Sequence, residues 1–217
     1  SGKSGFIIAI IPTLRDSIFT DYIRAIKEQL RKKGYQLLIG VTDYNLEREE
    51  EIVRKFLSYK PEGLIIVGTQ HTSYTNSILL ASKLPIVETW NITDKPLDVV
   101  VGFSNFSAGY QITDYLLTLK YKKIAFATPN KNHMKIENRS KRRLSGYLSR
   151  IKEAQIKPII FYYSEPQDHK NCGSEILRQY KKDNSKIDCI ICGSEDSGIT
   201  LLSTLLFHKM KVPKNIG

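Results

Sequence analysis

Residues 6–11 read Phe-Ile-Ile-Ala-Ile-Ile and stop at Pro12. A run this short and this uniformly apolar is a strand buried on both faces, the habit of parallel sheets covered by helices on each side. Further short runs that read as strands lie at 35–41, 63–67, 86–89, 99–103, 123–128, 159–163 and 187–192, largely apolar but with polar residues such as Gln36, Glu88, Lys123 and Asp188 among them. Between these runs, apolar residues recur at helical spacing. Ile18, Phe19, Tyr22, Ile23, Ile26 and Leu30 are closed by Gly34, and Ile52, Val53, Phe56 and Leu57 follow a capping Asn45. A short helix is expected through 78–82, and further ones carry Ile112, Tyr115, Leu116 and Leu119, then Leu144, Tyr147, Leu148 and Ile151, then 175–180 and 199–207. Strands alternating with helices at this rhythm require right-handed βαβ units. The pattern restarts after Lys120-Tyr121. The expected fold is α/β, two tandem Rossmann-like lobes over 6–120 and 121–217, with a polar linker over 1–5. In such sheets ligands bind at the carboxyl ends of the strands, where Glu88, Thr89, Ser104 and Asn105 fall. Two tandem sheets imply a cleft that closes on a small polar ligand by hinge motion.

Composition narrows the function. The chain has 217 residues, 41% of them hydrophobic, enough for a packed core. No apolar run approaches the ~20 residues of a membrane helix. The net charge of +11 suits a polyanionic partner, but the cations are spread along helix faces and the only dense cluster is Arg139 to Arg143. Solvated helix faces account for most of it, and direct DNA binding by this stretch is not expected. Three cysteines cannot all pair within the chain, which favours a reducing compartment. Cys189-Ile190-Ile191-Cys192 has C-x-x-C spacing, yet it lies in an apolar run that reads as a strand, not at a turn or helix start. There is no G-x-G-x-x-G after the first strand, no nucleophile–base ordering and no metal-ligand spacing, so neither an enzyme nor a cofactor or metal is expected.

Several stretches, taken in order, resemble one known family. They are Lys3-Ser4 with 8–12, Gly34-Tyr35, Thr42-Asp43 with Glu47-Arg48-Glu49, 63–66, 122–126, Arg143-Leu144-Ser145-Gly146-Tyr147, and Val212-Pro213. The ordered set resembles the effector-binding core of the lactose-repressor family of transcriptional regulators. Within it, 68–72, Glu88-Thr89-Trp90 and 101–105 resemble the gluconate-operon repressor type. The resemblance implies the regulatory core of a cytoplasmic DNA-binding repressor. Its effector would be a sugar acid, gluconate or a phosphorylated relative. It would act as a homodimer through helix faces of the first lobe and reach operator DNA through a helix-turn-helix absent from this chain. It also implies a core that stops short of its last strands. A periplasmic sugar-binding protein of a transporter is the alternative with the same fold.

The resemblance places the effector contacts as well. Arg143 matches the family's effector-contacting arginine, and a guanidinium fork fits a carboxylate or a vicinal diol. Arg139 lies one turn earlier on the same face. Asp16, Ser17 and Phe19 follow the first strand, where helix N–H groups favour an anion. Asp16 has a helix cap as its alternative reading, and Phe19 reads equally as core and as a sugar-stacking platform. Thr69 and His71 end the third strand within reach of hydroxyls, though a lone histidine is as often a surface residue. Ser104 and Asn105 either bond the effector or cap the next helix. Trp90 either stacks on a ligand or anchors its loop. Ser194-Glu195 stands where the family has Asn-Asp, and the longer Glu195 changes the reach toward hydroxyls.

Overall fold

Ile8, Ala9, Ile10 and Ile11 are each at most 1% exposed, as a strand covered on both faces must be. The computed structural model describes residues 4–15, 17–130, 138–164, 171–183 and 186–217. The chain divides into two units, Ser1–Ser104 and Asn105–Gly217. The first holds β1 (Phe6–Ile11), α1 (Ser17–Lys32), β2 (Gln36–Val41), α2 (Leu46–Leu57), β3 (Gly63–Val67), α3 (Ser73–Ser82), β4 (Ile86–Thr89) and β5 (Val99–Val101). The second holds α4 (Asn105–Thr118), β6 (Ile124–Pro129), α5 (Asn138–Glu153), β7 (Ile159–Tyr163), α6 (Cys172–Lys182), β8 (Cys189–Cys192) and α7 (Glu195–Phe207).

The first sheet runs β2-β1-β3-β4-β5, and every pairing in it is parallel. Side chains alternate across a strand. Ile8 and Ile10 pack with Leu64, Ile66, Val53 of α2 and Leu79 of α3. Ala9 and Ile11 face Phe19 and Ile23 of α1. Asn45 caps α2, its side chain accepting from the Arg48 N–H. Helix α3 starts earlier than apolar spacing suggests, because Thr72 caps it by accepting from the Thr75 N–H. That first turn is polar and carries no periodic signal.

The second sheet runs β7-β6-β8, again parallel. Ile124 and Phe126 of β6 pack with Leu144, Tyr147 and Ile151 of α5. Ala125 and Ala127 face Ile176 and Leu177 of α6 and Leu201 and Leu205 of α7. Tyr147 is fully buried, and its hydroxyl donates to the Ile124 carbonyl at 2.8 Å while accepting from the Ile159 N–H at 3.0 Å. Both halves of that polar group are satisfied where water is excluded. At the chain end Gly217 bridges to β8, its N–H donating to the Asp188 carbonyl and its carbonyl accepting from Ile190.

The boundary between the units precedes α4, whereas the periodicity puts it after that helix. The reason is the packing of α4 on α5. A Cβ on Gly109 would sit 1.9 Å from the Arg143 carbonyl oxygen, and one on Gly146 would sit 2.0 Å from the Phe106 carbonyl oxygen. Each glycine admits the other helix's backbone, so α4 is bound to the second unit. Replacing Gly146 with Ala forces the two helices apart and lowers stability by about 1–3 kcal/mol or more, read from the urea unfolding midpoint. An unchanged midpoint means the helices do not meet here.

Candidate functional site

In the second unit, polar groups gather around Arg143, on the second turn of α5. Its Nε–H donates to the Gly193 carbonyl at 2.8 Å, just beyond β8. Nη1 donates to the Asn105 side-chain oxygen at 2.5 Å, and Nη2 to the Ser140 hydroxyl at 3.3 Å. Three elements thus fix one guanidinium. Gly193 is itself held, its N–H donating to the Ala127 carbonyl at 2.8 Å. Asn105 is 1% exposed and opens α4, where it accepts from Arg143. Arg139 is half-buried one turn before Arg143. Glu195 is exposed at the first turn of α7. Ser194 caps that helix in a reciprocal box with Ser197, and Glu195 and Asp196 sit where the helix dipole favours anions.

In the first unit, the carboxyl end of the sheet holds a buried charged trio. His71 is not at the surface: its side chain is 1% exposed. Nδ1 lies 2.7 Å from Glu49 Oε1 of α2, and Nε2 lies 3.5 Å from Glu88 Oε1 of β4, an ion-pair distance without a hydrogen bond. The other oxygen of Glu88 accepts from the Leu97 N–H at 2.6 Å. Thr72, next to His71, donates to Glu50 at 2.6 Å. The trio ties α2, the turn after β3 and the loop after β4 together. Burial pushes the His71 pKa down, but the carboxylates of Glu49 and Glu88 outweigh it and raise it from 6.5 to about 9. His71 is therefore an imidazolium at neutral pH.

Phe19 is core, 3% exposed and edge-on to Trp90 at 5.4 Å between ring centroids. Trp90 also meets Tyr22 and Phe103 edge-on, so it anchors its loop. The Tyr22 hydroxyl donates to Thr89 at 3.0 Å. Ser17 is exposed at the start of α1, and its carbonyl accepts from the Thr20 hydroxyl at 2.8 Å. Thr69 and Ser104 are half-buried beyond β3 and β5. Asp16 lies outside the described residues. Cys189 and Cys192 sit on β8 as free thiols, and burial raises them to about 11 and about 12, which keeps them protonated.

The structure brings Asn105 and Arg143 together in one cluster and adds Ser140 and Gly193, which nothing in the sequence singles out. It also adds Glu49 as the partner of His71. Glu88 had a readable signal, since a carboxylate inside the apolar run Ile86-Val87-Glu88-Thr89 demands a buried partner.

Polar side chains collected beyond the carboxyl ends of parallel strands stand where open α/β sheets bind small ligands. The chain belongs to the family described as periplasmic binding proteins and sugar binding domain of the LacI family, whose model matches residues 4–217. Among curated proteins it is similar to the HTH-type transcriptional regulators GntR and IdnR of Escherichia coli K12, each 24% identical, over 100% and 96% of this chain. The chain spans less than two thirds of these relatives, 64% and 61% of their lengths. A LacI-family regulator from Silicibacter pomeroyi is 30% identical with a TM-score of 0.83, covering 97% of this chain and 77% of that one. The transcription regulator GntR from Chromobacterium violaceum is 25% identical with a TM-score of 0.85, covering 98% and 76%. The resemblance read from the ordered sequence stretches is thus confirmed at the level of the family and of the GntR type. None of the described helices is long and apolar enough to cross a membrane.

The raised His71 pKa sets a pH dependence. The folded state holds this proton more tightly than the unfolded chain, so its stabilising contribution is complete below pH 6.5 and is lost as pH rises through about 9. Urea unfolding of the wild type should weaken across that window, with a slope on the order of 1 kcal/mol per pH unit. His71→Gln leaves two buried carboxylates without their cation. It should cost about 3–5 kcal/mol at pH 6.5 and flatten the slope. The same slope in the variant removes the assignment.

Proposed function

We propose that this chain is the effector-binding core of a transcriptional repressor whose effector is a sugar acid, gluconate or a phosphorylated relative. The observation that carries the reading is Arg143, a guanidinium fixed by Gly193, Asn105 and Ser140 at the carboxyl end of the second sheet. A held guanidinium loses little freedom on binding and recognises a carboxylate or paired hydroxyls by its fork. The likeness to GntR-type regulators supports the same class of effector. In the second unit we assign effector contact to Arg143, Arg139 and Glu195. In the first, Ser17, Thr69 and Ser104 are the corresponding hydroxyls, and His71 and Asn105 act from behind by fixing their neighbours. The full-length repressor would be a cytoplasmic homodimer that reads its operator through a helix-turn-helix outside this chain. Its effector acts by binding two conformations with different affinity. The curated relatives are regulators, which favours this reading over a transporter's periplasmic sugar-binding protein. No reaction is assigned to the chain.

Calorimetric titration with gluconate, 6-phosphogluconate and neutral hexoses tests the proposal. Sugar acids should bind more tightly than neutral sugars. Arg143→Ala should lose about 1.5–3 kcal/mol of sugar-acid affinity and the preference with it, while Arg143→Lys keeps part. A thermal melt of each variant checks that it is folded. Neutral sugars binding as well as sugar acids would discard the assignment.

A further inference from the structure

A surface cavity of about 330 Å³ lies in the second unit, away from Arg143 in sequence. It is lined by Ser174, Leu177, Arg178, Lys181 and Lys182 of α6 and by His208 at the end of α7. Spacings of three and four residues place the five α6 side chains on one face. Leu177 is 3% exposed and belongs to the core, so it forms an apolar floor beneath exposed cations. Among the described residues no carboxylate pairs with Arg178, Lys181 or Lys182. Within the helix Glu175, one turn before Arg178, is turned to Ser164 and accepts from its N–H at 2.8 Å and its hydroxyl at 3.1 Å, and Asp183 follows Lys182 as the half-buried C-cap residue.

Like charges three and four residues apart on a helix repel one another. The negative end of the helix dipole explains a lysine in the last turn. It does not explain Arg178 a turn earlier, facing the same hollow. The repulsion is relieved when an anion sits among the three cations. We propose that this cavity binds a small phosphate-bearing molecule, its phosphate held by Arg178, Lys181 and Lys182 and its remainder seated on Leu177 and the Ser174 hydroxyl. Phosphate oxygens accept charge-assisted hydrogen bonds from all three side chains. The volume suits a ligand at the small end of the usual range, and a concave site with one cationic helix face does not offer the extended basic stripe that duplex DNA needs.

NMR amide shifts of the chain, titrated at fixed ionic strength with inorganic phosphate and with glycerol 3-phosphate, test the site. The amides of 174–182 and of His208 should move together and saturate, with glycerol 3-phosphate the tighter ligand. The double variant Arg178→Gln/Lys181→Gln should weaken both ligands at least about tenfold. Its ligand-free melting temperature should match or exceed the wild type, since repulsion has been removed. Lys182→Gln alone should give a smaller loss. Equal shifts with chloride, shifts centred elsewhere, or unchanged affinity in the double variant would overturn the proposal. So would duplex DNA binding the same residues more tightly than glycerol 3-phosphate. Shifts around Arg143 report on the effector site separately, so the two assignments stand or fall independently.

Discussion

Helices α4 and α5 meet backbone to backbone, with Gly109 over the carbonyl of Arg143 and Gly146 over that of Phe106. That contact fixes what surrounds it. It brings the first residue of α4, Asn105, to the guanidinium of Arg143, three residues before Gly146 on α5. Gly193 reaches the same guanidinium from the end of β8. A larger side chain at either glycine would part the helices and carry Asn105 away from Arg143. The packing of two small residues therefore sets the geometry of a charge several ångströms off. Shape complementarity is acting here as a precondition for chemistry.

The first unit solves a different problem. Its sheet is as apolar as a parallel sheet needs to be, yet β4 carries Glu88 at 2% exposure. A lone buried carboxylate is costly, and so is a second one at Glu49. Placing a protonated imidazole between them leaves one net negative charge across three groups instead of two across two. Each member comes from a different segment, so the ion cluster also decides how α2 and the loops after β3 and β4 sit together. Burying such groups is weak evidence for added stability and better evidence for a fixed arrangement.

Most of the fold is legible in the sequence because its strands are short, mostly apolar and bounded. Residues 6–11, 63–67 and 159–163 could be placed to the residue for that reason. The polar first turn of α3 could not, since capping by Thr72 leaves no periodic trace. The assignment of α4 to its unit was also hidden: the helix shows its apolar residues but not which partner its glycines admit. At the site, Arg143 could be read from a local motif. Its supports could not, because Asn105 and Gly193 lie 38 and 50 residues away in the chain. His71 reads from the sequence equally as a hydroxyl-binding residue and as a surface one, and only the carboxylates of Glu49 and Glu88, on other elements, show why it turns inward. Long-range partners of a single polar side chain leave no spacing to detect.

Trp90 is the chain's single tryptophan, and it is caged by Phe19, Tyr22 and Phe103. Indole emission on excitation at the red edge of the absorption band thus comes from one ring in one unit. Its wavelength and intensity track the wetting of that cage, where α1, β4 and the residues beyond β5 come together. The second unit contributes nothing to the signal. The molecule carries its own optical gauge for one end of one sheet, needing no added dye.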